Sequence, residues 1–251
     1  MKTALQIYSL RNTILSNTSE QLTELKRAGY DGAELVNFGG DRVRFLAEEM
    51  KKAGLEVFSI HTNMDEIAAA DERQLELYAS LGCTVMPIGW LPEDRIAGGA
   101  HYDETLACIE KFSALAKRHG IRLAYHNHDF DLALLDDGVR KLDRLYADTA
   151  PDVLKAELDT CWIYTAGADP LAYVVKYAPR CPVLHLKDCV REGGRKGFRA
   201  LGEGALDFAP IVRAAEQGGV EWLCVEQDEP SPGKTPMACA CESIAHLKTL
   251  L

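Results

Sequence analysis

Four short stretches of the 251-residue chain end apolar runs in groups that could do chemistry. RLAYHNHDF carries His126 and His128, and KAELDTCW carries Glu157 and Asp159. VLHLKD carries His185 and Lys187, and LCVEQD carries Glu226 and Asp228. In each stretch the two residues are spaced i, i+2, which in a strand puts both on one face. A core has little use for such polarity unless it is hydrogen bonded or lines a site. If one of each pair converges, imidazoles and carboxylates from four strands meet. That mixed nitrogen and oxygen set suits one divalent metal ion such as Mn²⁺, Co²⁺, Zn²⁺ or Mg²⁺. Such an ion can hold a carbonyl and a neighbouring hydroxyl, and stabilise the enediolate left when a proton departs.

The elements that must position these groups recur along the chain. An amphipathic segment closes on a glycine and a β-rich run follows, as in KRAGYDGAEL, KKAGLEVFSI, ASLGCTVMPI, KRHGIRLAYH and EQGGVEWLCV. Gly29, Gly54, Gly82, Gly120 and Gly219 read as residues that end helices. Val43, Leu46, Met50 and Ala53 are spaced 3, 4 and 3 and share one helix face. The first helix is expected to start at Thr18, with Gln21 as its capping-box partner. The β-runs are ALQIYSL, GAELV, EVFSI, TVMPI, RLAYH, VLKAEL, PVLHL and WLCV, each followed by a helical segment. Several are almost continuously apolar, as parallel strands covered on both faces should be. Eight β-α units in this length predict a (β/α)₈ TIM barrel, class α/β, forming a single domain over residues 1–251. A doubly wound open sheet is the alternative, but no G-x-G-x-x-G follows the first run.

Bulk properties narrow the function. With 28 Lys and Arg against 38 Asp and Glu, the chain carries a formal charge of −10. No basic run tracks a phosphate backbone, so nucleic acid is not an expected partner. MKTALQIYSLRN has no long apolar core, and no window is long and apolar enough to span a membrane. Eight cysteines lack CxxC spacing and read as buried, reduced thiols of a cytoplasmic protein. A homo-oligomer is compatible with all of this.

Barrel sites lie at the C-terminal strand ends. The polar residues there also include Tyr8 and Arg11 after the first run, Glu34 in the second, His61 in the third and Trp90 after the fourth. Four of the seven histidines belong to this set. The blander readings differ by residue. A lone strand-end histidine is more often structural than a ligand. Glu34 and Glu157 also read as ion-paired residues of the barrel floor, and Tyr8 and Trp90 taken singly read as packing. Four strand ends at once are harder to explain that way. The loop VREGGRKGFRALGEG, with Arg191, Arg195, Lys196 and Arg199, lies where barrels often bind phosphate, although Glu203 opposes an anion there.

YHNHDF, ELDTCW with AGADP, HLKD, LGEGALDF and VEQD, in that order, resemble the sugar phosphate isomerase/epimerase family. That family sits in the xylose isomerase-like TIM barrel superfamily, related to AP endonuclease family 2. The resemblance spans the whole chain and implies one metal held by Asp159, His185, Glu226 and a residue of the fifth strand. Where epimerases carry glutamate on that strand, this chain has His126, with His128 as the runner-up. The histidine that endonuclease IV and the epimerases carry after the aspartate is replaced by Trp162, which argues against a trinuclear zinc site. The resemblance also implies that His61 and Lys187 bind or protonate substrate oxygens and that Glu34 orients a hydroxyl. Glu226 then serves as proton-transfer base, with His128 contributing to turnover. Tyr8, Arg11 and Trp90 complete the expected substrate contacts. The activity this resemblance implies is a metal-dependent isomerase or epimerase whose partner is a small-molecule sugar or polyol. A keto-sugar or keto-inositol dehydratase is the alternative enzyme, and a non-catalytic sugar-binding barrel the alternative of another class.

Overall fold

The computed structural model describes residues 1–37, 40–192 and 195–251. Eight parallel strands close a barrel: β1 (Lys2–Gln6), β2 (Gly32–Val36), β3 (Glu56–His61), β4 (Val85–Ile88), β5 (Arg122–His126), β6 (Lys155–Asp159), β7 (Val183–Leu186) and β10 (Trp222–Val225). They correspond one for one to the eight predicted β-runs. An antiparallel hairpin of β8 (Asp188–Glu192) and β9 (Arg195–Arg199) follows β7. It occupies the segment read from sequence as a loop.

Among the described residues, ten α-helices surround the barrel. They are α1 (Thr18–Ala28), α2 (Gly40–Ala53), α3 (Met64–Ala69), α4 (Glu72–Leu81), α5 (Tyr102–Lys117), α6 (Lys141–Ala147), α7 (Thr160–Thr165), α8 (Pro170–Tyr177), α9 (Phe208–Gly218) and α10 (Pro236–Lys248). All five glycines read as helix ends have positive φ. At Gly29 (φ 109°) the amide donates back to Leu25 and Lys26 carbonyls and closes α1. A side chain there would be strained, because L-residues disfavour that region. On α2, Val43, Leu46 and Met50 are fully buried, and Ala53 packs partly buried against the same core.

The first helix starts at Thr18 as expected, but its capping box does not form. Asn17, not Thr18, caps α1, and it does so without a side-chain bond. The Thr18 hydroxyl donates instead to the Ile14 carbonyl, and Gln21 turns to the carbonyl and hydroxyl of Thr13. The preceding turn satisfies both side chains, so nothing is left for a reciprocal cap. All eight cysteines are free thiols. No helix among the described residues is long and apolar enough to cross a membrane.

Most of the core lies between strands and helices, in one large apolar cluster. Inside the barrel a second, small cluster joins Ala4, Phe58, Val85, Ala124, Val183, Trp222 and Cys224, with Phe58 stacked on Trp222 at 4.0 Å. This plug sets the floor of the site. Period 2 carries each inward row upward from it: Ala124 to His126 to His128, Val183 to His185 to Lys187, and Cys224 to Glu226 to Asp228. The rows therefore start apolar and end polar.

Candidate metal centre and active site

Strand pairing brings the candidate ligands level. His126 is in register with Glu157, and Asp159 with His185. One ligand atom each from His126, Asp159, His185 and Glu226 lies within 4.8 Å of the others. All four side chains are buried. Asp159 is the most telling member. Its Oδ1 accepts the Trp162 amide at 3.0 Å and caps α7, while its Oδ2 is buried with no hydrogen-bond partner. The Lys187 ammonium is 3.8 Å from that oxygen and His126 Nε2 is 4.0 Å away. A buried carboxylate oxygen without a donor is costly unless a cation meets it. Two imidazole nitrogens and two carboxylates fit a borderline or hard divalent ion.

A second layer holds the two imidazoles from behind. Glu157 Oε1 lies 3.0 Å from His126 Nδ1, and Glu34 Oε2 lies 2.6 Å from His185 Nε2. This leaves His126 Nε2 and His185 Nδ1 for the shared space. Metal-binding histidines are commonly oriented by carboxylates in this way. Glu34 also accepts from Gln6 Nε2 at 2.9 Å and from the Ser59 hydroxyl. His61 Nε2 meets Glu157 at 2.7 Å and Glu34 at 3.4 Å. Asn127 Oδ1 accepts the Asp159 amide and ties β5 to β6. His61, His126, Glu157 and His185 form a deeper group that also has ligand-like proximity.

Charge inside this layer is regulated by its neighbours. Burial opposes charge on His61, but Glu34 and Glu157 outweigh it and raise its pKa to about 10. Burial likewise opposes charge on His185, yet Glu157 and Glu34 help hold the imidazole well above its ordinary range. Burial lifts Asp159 to about 7 despite the opposing charge of Lys187. Burial, with Glu34 beside it, lifts Glu157 to about 7 as well. Against burial, Lys187 and His185 keep Glu226 well below the usual carboxylate range.

Above the quartet opens a cavity of about 670 Å³. Lys187 is 1% exposed, with its ammonium 2.9 Å from Asp228 and 3.2 Å from Glu226. It also sits over the Trp162 ring at 4.5 Å and the Phe198 ring at 5.2 Å. Burial disfavours the ammonium, but Glu226, Asp159 and Asp228 more than compensate and hold its pKa above the normal value. His128 stacks on Phe130 and meets Trp162, with ring centres 5.4 and 5.3 Å apart. Burial, helped by Lys187, lowers its pKa to about 4, so it is neutral near pH 7. Its Nδ1 is buried without a partner. At the rim Arg11 lies over the Tyr8 ring at 4.4 Å and bonds Glu229 at 2.6 Å.

Most of the sequence-derived candidates come together here. Tyr8, Arg11, Trp90, His61, His126 and His128 line the cavity, as do Lys187 and Glu226. Asp159 and His185 lie fully buried beneath them. Glu34, expected to orient a substrate hydroxyl, does not line the cavity. It is fully buried, engaged by Gln6, Ser59, His61 and His185, and its placement is that of a support. Trp162 and Phe198 were given no site role from sequence, and Asp228 only a place beside Glu226 on its strand, yet all three wall the cavity. Of the basic loop, Arg191 donates to the Tyr164 and Thr165 carbonyls. Gly193 and Gly194 and the side chains of Arg195 and Lys196 lie outside the described residues.

A closed parallel barrel with a mixed imidazole and carboxylate centre at its C-terminal mouth defines a class of small-molecule enzymes. The chain belongs to the xylose isomerase-like TIM barrel family, whose model matches residues 22–250. It is similar to an inosose dehydratase of Clostridium perfringens, with 25% identity over 269 residues covering 92% of this chain and 90% of that protein. A solved sugar phosphate isomerase/epimerase from Parabacteroides distasonis superposes with a TM-score of 0.84 at 24% identity, covering 98% of this chain and 93% of that one. A probable 3-DHS dehydratase from Bacillus anthracis superposes at 0.70 with 18% identity, covering 99% of each chain. At these identities the two structures speak for the fold alone.

Proposed function

We propose that this chain is a divalent-metal-dependent lyase that removes water from a keto-polyol, a keto-sugar or keto-inositol. The observation that carries the reading is the Glu226–Lys187 contact at 3.2 Å, which sets a base beside an acid at one wall of the cavity. Epimerisation through two bases needs a second one, and the β5 position that would supply it holds His126, whose Nδ1 is engaged by Glu157. The inosose dehydratase relatives support the same reading.

His126, Asp159, His185 and Glu226 would hold the ion, which would polarise the substrate carbonyl and acidify the adjacent C–H. Glu226, ionised in its surroundings, takes that proton. The Lys187 ammonium stabilises the negative charge developing on oxygen and gives a proton to the departing hydroxyl, so water leaves. The proton on Glu226 then returns to Lys187 along their contact, restoring both groups. Asp228 keeps the ammonium in place, and Trp162 and Phe198 shield it from bulk water. His128, neutral and lining the cavity, binds a substrate hydroxyl. Glu34 and Glu157 act only through His185 and His126, and are positioning residues.

Isomerisation or epimerisation, the activity expected first from the motifs, shares the opening proton transfer and can use the same pair. Product analysis separates the two. The Mn²⁺-supplemented chain is incubated in D₂O with keto-inositols and keto-sugars, and products are read by mass spectrometry. Loss of one water from a substrate is the expected result. A product of unchanged composition carrying solvent deuterium would replace the lyase reading with the isomerase one.

A further inference from the structure

A second cavity of about 320 Å³ adjoins the first, and Trp90 lines both. Its chemistry differs from that of the metal-side cavity. Leu91 and Ile96, both fully buried, and Ala133 give it apolar surface. Trp90 and Phe130 give it flat aromatic surface and remain 52% and 39% exposed. Phe130 also stacks on His128, with an interplanar angle of 4°, so the ring joins the two cavities.

Two charged groups, Glu93 and Lys141, break this apolar lining. Lys141 lines the cavity with its side chain only 17% exposed. Among the described residues its ammonium makes no hydrogen bond. Its one ion-pair contact is with Glu93, at 4.0 Å, and that carboxylate is 94% exposed. Asp131 also feels this charge, and the long stem lies along the apolar wall while the head stays accessible, as amphipathic side chains commonly arrange. Ligand pockets combine apolar walls with a few placed polar groups in this manner.

We propose that this cavity is a subsite for a planar, apolar ring bearing a carboxylate. The ring lies against Trp90 and Phe130, and the carboxylate meets Lys141. Flat aromatic walls favour a flat partner, and an accessible ammonium at their edge favours an anion. The proposal deepens the lyase reading and rests on it in one respect: the ring is taken as the far end of a substrate whose polyol end occupies the metal-side cavity.

The test uses the full chain labelled with 5-fluorotryptophan, whose three tryptophans report on three places. Trp90 reports on the wall the two cavities share, Trp162 on the metal-side cavity alone, and Trp222 on the barrel floor. A shift at Trp90 that Lys141 substitution weakens, with Trp162 still, marks the subsite. Fluorine resonances are assigned with Trp→Phe variants, and benzoate and benzyl alcohol are titrated in. Benzoate should move the Trp90 resonance saturably in the millimolar range, leave Trp222 still, and bind better than benzyl alcohol. Lys141→Met and Lys141→Gln should each weaken benzoate roughly tenfold, as loss of a charge-assisted bond does, and leave benzyl alcohol unchanged. An unmoved Trp222 resonance certifies the fold of each variant. A shift confined to Trp162, no shift at all, or equal benzoate binding after Lys141 substitution would overturn the proposal. Keto-polyol turnover is measured on the same preparation, so a failed subsite and a failed lyase reading give different results.

Discussion

His185 Nε2 and Glu34 Oε2 lie 2.6 Å apart with both side chains fully buried, and this contact turns the other ring nitrogen, Nδ1, toward Glu226 at 3.2 Å. Glu34 thus acts on the candidate metal from a distance, through the orientation of an imidazole. Glu34→Gln keeps the shape but removes the charge that holds the Nε2 proton. Metal affinity should fall by about 10- to 100-fold, the usual loss for such a supporting carboxylate. Calorimetric titration with Mn²⁺ measures this, and unchanged affinity would remove Glu34 from the assembly.

Metal binding should be linked to protons. His185 is held above its ordinary range against burial by Glu157 and Glu34, and Asp159 is raised to about 7 by burial. His185 must lose its Nδ1 proton and Asp159 its carboxyl proton to act as ligands, so the ion displaces protons. Affinity should therefore rise as pH goes from 6 to 8. Titrations in buffers of different ionisation enthalpy should show net proton release. Proton uptake, or no linkage, would contradict the ligand set.

The two histidines of YHNH should behave differently. His126 has Glu157 behind it and Nε2 facing Asp159, whereas His128 lies among Trp162 and Phe130 with Nδ1 unpartnered. His126→Ala should weaken metal binding, while His128→Ala should retain the metal and lower kcat. Equal metal loss in both variants would show that the division is wrong.

Glu226→Gln keeps one oxygen for the ion and removes the basicity. Turnover should drop by at least about 10²-fold, the lower end for a general base. Solvent deuterium exchange at the substrate carbon should disappear in parallel. Exchange at the native rate would move the base elsewhere, with His128 next in line.

Much of this was legible in the sequence because period 2 and helix-ending glycines are local signals. Eight β-runs and five glycine ends come directly from them, as do the paired site residues on β5, β6, β7 and β10. Height within the barrel is not local. Tilt and stagger decide which strand-end residue reaches the cavity and which lies beneath it. Glu34 sits just after a register shift between Ala33 and Glu34, and that shift has no sequence signature here. The β8–β9 hairpin was missed because its charged, glycine-rich sequence suits a loop equally well. Two glycines between short runs, as in VREGGRKGF, are the hairpin signal that could have found it, and with it Phe198. Asp228 shares a face with Glu226, but only the folded chain puts it 2.9 Å from Lys187.

The central claim is one divalent ion held by His126, Asp159, His185 and Glu226. Crystals grown with Mn²⁺ and measured at its absorption edge test it most directly. The expected result is a single anomalous peak per chain contacting those four side chains, absent from crystals of Asp159→Ala. A peak seated instead among His61, Glu157 and the floor of the barrel, or one undiminished in Asp159→Ala, would contradict the account.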